Sequence, residues 1–145
     1  MNYLANPIRK TLCLVALCLS VQTQANPYQL FLVRHAEKAA STATDPELSE
    51  CGKQQAQALA TLLGQLQIPK IFHTAYQRTT QTAQALLQPG RSLQTYDPAS
   101  LDNLSKTLKQ AQQSALIVGH SNTTPKLAAL LSEQAVPPMS DQQYG

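Results

Sequence analysis

Charge is scarce in this chain: Asp, Glu, Lys and Arg together make up 13% of its 145 residues. No basic run stands out, which argues against nucleic acid as a partner. Low-complexity tracts are also missing, and with 43% apolar residues the composition is that of a globular protein and not of a disordered one. No internal repeat or linker is visible, and the length suits one domain. The most apolar stretch, Thr11 to Val21, is too short to span a bilayer comfortably.

That stretch follows Arg9 and Lys10 and precedes Thr23-Gln24-Ala25. Basic, apolar and small-residue segments in this order have the layout of a secretory signal peptide. We therefore expect residues 1–25 to be a signal peptide and 26–145 the functional domain. The domain is expected to be periplasmic or secreted, with no stable membrane insertion once the signal is removed. A retained anchor is the rival reading, and Leu17 argues against a lipoprotein site at Cys18. Without residues 1–25 only Cys51 remains of three cysteines, so no intramolecular disulfide can form. The net charge drops to +1, from 9 basic and 8 acidic residues. The substrate must be recognised locally, and the sequence points to no particular oligomeric state.

Short β-prone runs alternate with helical patterns. Gln29 to Val33 reads as a buried strand with Arg34-His35 at its C-terminal end. Ser49 is a plausible N-cap for a helix whose apolar face carries Ala56, Leu59, Ala60, Leu62, Leu63 and Leu66. After Pro69, Ile71-Phe72 begins a second strand leading into His73-Thr74, followed by a helix that Pro89-Gly90 stops. Ser92 to Tyr96 suits a third strand, and Leu101, Leu104 and Leu108 mark a helix starting near Asp97-Pro98 or Ser100. Ala115 to Gly119 is the clearest strand, with His120 at its end and Pro125 opening a last helix. This alternation predicts an α/β domain, a three-layer α/β/α sandwich with a mostly parallel central sheet. Ligands bind outside the carboxyl ends of such strands, where Arg34, His35, the Thr74 to Arg78 loop and His120 all fall.

Three segments carry a resemblance. Leu32-Val33-Arg34-His35-Ala36-Glu37-Lys38 is similar to the Arg-His-Gly signature of the histidine phosphatase superfamily. Thr74-Ala75-Tyr76-Gln77-Arg78-Thr79-Thr80-Gln81-Thr82-Ala83 resembles that family's second arginine segment, and Val118-Gly119-His120-Ser121 its second histidine segment. The resemblance runs from about Gln29 to the end and implies a phosphoglycerate mutase-like fold. It also implies a phosphatase acting on a phosphomonoester or a phosphorylated side chain, with no metal and no organic cofactor. The chemistry suits these residue types. Charge spreads over the equatorial oxygens in phosphoryl transfer, so the planar donors of Arg34 and Arg78 stabilise it. By resemblance His120 adds a donor and His35 is the nucleophile. Its second ring nitrogen is then expected to donate to a carbonyl or carboxylate.

His73 matches no family position and reads as a packed or solvated side chain. Metal binding by the three histidines is disfavoured because their spacing fits no common zinc arrangement. Cys51 could be a thiol nucleophile at a helix start, yet the family's equivalent stretch is a plain helix, so it reads as a small packing residue. Arg78 has the rival reading of a surface ion pair. Ala36 replaces the signature glycine and requires an ordinary backbone conformation there. The general acid is the largest departure: no carboxylate adjoins His120, and Asp97 is the best-placed candidate, with Asp102 and Glu37 behind it. Pro137 to Tyr144 looks like the approach to a final family strand, although the sequence stops at Gly145. Either that strand is dispensable or the chain is shortened, and a sheet edge is expected to be open. A degenerate module that binds phosphate or an anionic sugar without turnover is the non-catalytic alternative.

Overall fold

The computed structural model describes residues 27–142; the segment read as a signal peptide lies outside the described residues. Eight elements follow in strict alternation: β1 (Leu30–Arg34), α1 (Glu50–Leu63), β2 (Lys70–His73), α2 (Gln77–Ala85), β3 (Ser92–Thr95), α3 (Leu101–Ala111), β4 (Ala115–Gly119) and α4 (Thr124–Ser132). The four strands form one parallel sheet in the order β1-β4-β2-β3. β4 is central and buried throughout, as its continuous apolar sequence requires.

Side chains on successive strand residues point to opposite faces, and this sorts the core into two layers. Phe72, Ala115 and Ile117 pack with Leu101, Leu104, Leu108 and Leu127 of α3 and α4, with Leu30 and Leu32 alongside. On the other face Ile71, Leu116 and Val118 meet Leu63 of α1 and Ala83 of α2, flanked by Phe31 and Val33. The result is the expected α/β/α sandwich.

Local chemistry sets the helix starts. Ser49 caps α1, its Oγ accepting from Gly52 N at 2.9 Å and donating to Glu37 Oε1 at 2.7 Å. Gly52 is needed there, since a Cβ would overlap the Glu37 carbonyl oxygen. Asp97 opens the turn before α3: its Oδ1 accepts from Ala99 N at 2.9 Å and its Oδ2 from Ser100 Oγ at 3.0 Å.

Two expectations need correction. Leu62 is 75% exposed, because one residue's rotation from Leu63 carries it off the buried face of α1. Cys51 is exposed and not packed, for the neighbouring Gly52 holds the inward position. Residues 137–140 form no strand, which agrees with the expectation that a final strand is missing, and among the described residues β1 and β3 are the sheet edges.

Candidate active site

A cavity of about 410 Å³ opens at the carboxyl ends of β1 and β4 and the start of α2. Arg34, His35, Arg78 and His120 line it, together with Lys38, Tyr76, Pro98, Ser121, Asn122, Thr123 and Asp141. Parallel topology accounts for the convergence. His35 N continues the β1–β4 ladder by donating to Gly119 O at 2.9 Å, so the residues that end the two strands lie side by side. The two imidazole rings sit 5.4 Å apart, edge to face.

His35 is 3% exposed, and its Nδ1 lies 2.8 Å from Ala36 O. A carbonyl only accepts, so Nδ1 carries the proton and the lone pair lies on Nε2. Burial lowers the pKa of His35 from 6.5 to about 4; the Ala36 bond opposes this, and Arg78, His120 and Arg34 reinforce it. At neutral pH the ring is therefore uncharged. Ala36 has no left-handed backbone conformation, as its replacement of glycine requires.

Thr82 ties this loop to α2. Its Oγ1 accepts from Ala36 N at 3.0 Å and donates to Arg78 O at 2.7 Å. Arg78 stands over the Tyr76 ring at 4.5 Å and touches Asp45 Oδ1 at 3.5 Å. Asp45 also accepts from Gln77 N, at 3.0 Å through Oδ1, and so caps α2 from another loop. Arg78 thus pairs with a carboxylate, as its rival reading had it, and also lines the cavity. Arg34 is buried and donates from Nη1 to Ser140 O at 3.1 Å.

His120 is anchored by its backbone, whose N–H donates to Thr123 Oγ1 at 2.9 Å and whose carbonyl accepts from Thr124 N at 2.9 Å. Its ring lies 3.0 Å from Thr74 Oγ1 through Nε2 and 3.5 Å from Arg78 Nη2 through Nδ1. Burial, followed by the charges of Arg78 and Arg34, lowers its pKa to about 4, with Asp45 pulling the other way. His73 is the packed histidine expected: buried, with Nδ1 2.8 Å from Thr74 O, and outside the cavity.

The expected acids do not reach the site. Asp97 is exposed and spends both oxygens on its own turn, so although Pro98 lines the cavity, Asp97 does not. Glu37 is held by Ser49, and Asp102 lines a neighbouring cleft. Among the described residues Asp141 is the carboxylate in the cavity wall, its Oδ1 accepting from Ser121 Oγ at 2.6 Å. Asp141 had no sequence signal, because it sits in an irregular segment beyond the last helix. No group of three or more His, Cys, Asp or Glu among the described residues could hold a metal ion.

The model of the histidine phosphatase superfamily, branch 1, matches residues 30–105, just over half of the chain. This chain belongs to that superfamily. No curated protein matches it. Solved structures do. The protein histidine phosphatase SixA complexed with tungstate shares 20% identity over 77% of this chain and 81% of that one, with a TM-score of 0.64. A mycobacterial glucosyl-3-phosphoglycerate phosphatase with VO3 shares 19% over 74% and 81%, at 0.61. Phosphoserine phosphatase from Entamoeba histolytica with 3-phosphoglyceric acid shares 18% over 74% and 81%, at 0.58. At such identities the likeness establishes the phosphoglycerate mutase-like fold. Superfamily membership supports phosphatase activity in general.

Proposed function

We propose that this histidine phosphatase hydrolyses a phosphomonoester or a phosphorylated side chain through a phosphohistidine on His35 Nε2. One observation carries the reading: a buried, neutral His35 has Nδ1 held by Ala36 O and faces a cavity lined by Arg34, Arg78 and His120. Arg34 and Arg78 bind the phosphoryl oxygens and His120 donates to one of them. His35 Nε2 then attacks phosphorus as the ester bond breaks, and the bond's electron pair leaves with the ester oxygen. We assign the proton for that oxygen to Asp141 in place of Asp97, since Asp141 reaches the cavity and Ser121 leaves its Oδ2 to carry the proton. The resulting carboxylate takes a proton from the water that hydrolyses the phosphohistidine, which restores both groups.

No step is routed through a metal. The relatives named above act on a protein phosphohistidine, a sugar phosphoglycerate and phosphoserine, so the shared fold admits several leaving groups. An exported location rests on residues 1–25 alone. The test is phosphate release from sugar phosphates, nucleotides and phosphoamino acids. We expect turnover of at least one class by the wild type and none by His35→Ala. Phosphate binding without turnover by the wild type would support the non-catalytic module instead.

A further inference from the structure

Behind the cavity wall, two threonine hydroxyls and the His120 ring form a buried chain. Thr79 Oγ1 lies 2.8 Å from Tyr76 O and 3.0 Å from Thr74 O, and 2.8 Å from Thr74 Oγ1. Thr74 Oγ1 in turn lies 3.0 Å from His120 Nε2. Both threonines are fully buried, so no water competes for these groups. The proton positions follow by elimination. Thr79 Oγ1 faces two carbonyl oxygens that only accept, so its one hydroxyl proton is better placed towards them than towards Thr74. The Thr74–Thr79 contact must then be donated by Thr74, which has spent its own proton and can only accept from His120. His120 therefore carries its proton on Nε2. Its other nitrogen agrees, because Nδ1 faces Arg78 Nη2, a group that can only donate.

This arrangement conflicts with the role that phosphate binding requires. On the cavity side His120 presents a lone pair, and an oxyanion between Arg78 and His120 would meet it directly. Resting on the phosphate site assigned above, we propose that Thr79 and Thr74 lock His120 as the Nε2–H tautomer, so that oxyanion binding is coupled to uptake of one proton at Nδ1. The proton comes from solvent, bonds to the Nδ1 lone pair and leaves an imidazolium with two donors, one to Thr74 and one to the oxyanion. Thr74 and Thr79 are thus positioning residues.

The surrounding charges favour a change on binding and not before it. Arg34, Arg78, Lys38 and His35 face His120 from β1, α2 and the loop after β1, while Asp45 and Asp141 are the nearby carboxylates and Tyr76 stacks edge-on at 5.1 Å. The cations disfavour a charged ring in the free enzyme. A dianion among them offsets that penalty.

Tungstate is the probe, since it stays a dianion near neutral pH and cannot be hydrolysed. Nitrogen NMR on protein labelled at the histidine rings reads each nitrogen separately. At pH 7 the free protein should show His120 protonated on Nε2 alone, and saturating tungstate should protonate both nitrogens. Calorimetry in buffers of different ionisation enthalpy should give uptake of about one proton per site. Thr74→Val should let the His120 proton move to Nδ1 and reduce the uptake, while Thr74→Ser should behave as wild type. An Nδ1–H tautomer in the free protein, a neutral His120 in the complex, or wild-type behaviour of Thr74→Val would each overturn the proposal. Tungstate that disturbs neither His35 nor His120 would instead remove the phosphate-site reading beneath it.

Discussion

Acidification separates a buried nucleophile from an ordinary histidine. With His35 lowered to about 4, about 97% of the free enzyme still has a neutral His35 at pH 5.5. A histidine at the usual 6.5 would be only about 9% neutral there, so the two cases differ about tenfold in reactive enzyme. The sign follows from burial first: burial and, behind it, the charges of Arg78, His120 and Arg34 oppose protonation, and only the Ala36 carbonyl favours it. The assay is kcat/KM against pH from 7 to 3.5, corrected for the substrate's own second ionisation near pH 6. We expect no loss of corrected rate down to pH 5 and a downturn near 4. His120 is lowered to a similar value, but its protonated ring is the form that binds the oxyanion, so the downturn reports loss of neutral His35. A loss of corrected rate centred near 6.5 would refute the claim that the fold holds His35 neutral.

Other outcomes follow from the same geometry. Asp141→Asn should slow hydrolysis of an alkyl phosphate by about 10²–10⁴-fold and an aryl phosphate far less, because a phenolate needs little help from an acid; equal slowing of both would show that Asp141 shapes the cavity. Asp97→Asn should leave that leaving-group ratio unchanged, and a shift in it would return the acid role to Asp97. Thr82→Val leaves the Ala36 N–H without its acceptor and should cost about 1–3 kcal/mol, read as a lower urea midpoint; an unchanged midpoint would remove Thr82 as the tie between the His35 loop and α2. Stability should fall as pH drops from 6.5 towards 4, since the unfolded chain protonates both histidines in that window while the folded chain resists. A chelator should leave turnover intact, and loss restored by zinc would move the site into another chemical class.

Much of the fold was legible because β4 and β1 are apolar runs of strand length bounded by polar residues, and Pro69, Pro89-Gly90 and Pro125 punctuate the rest. The placement of Arg34, His35 and His120 at strand ends then follows from parallel topology alone. The threonine-rich pattern around Arg78 was visible, but its meaning was not. Thr74 and Thr79 serve His120 while Thr82 serves Ala36, and those partners are more than forty positions distant for Thr74 and Thr82. Asp97 stays outside the cavity wall because it has two local uses for its oxygens, which a sequence cannot weigh against a distant cavity. Asp141 escaped notice for the converse reason: only tertiary packing against Ser121 brings it to the wall. Leu62 was misplaced by a single helical step, where periodicity is least decisive.

The central claim is that His35 Nε2 becomes phosphorylated, and the most direct test is to quench turnover and locate the phosphoryl group. The structure predicts an acid-labile, alkali-stable adduct on His35, attached at Nε2 because Nδ1 is committed to Ala36 O. An adduct on Nδ1, on His120 or on a hydroxyl side chain would contradict the account.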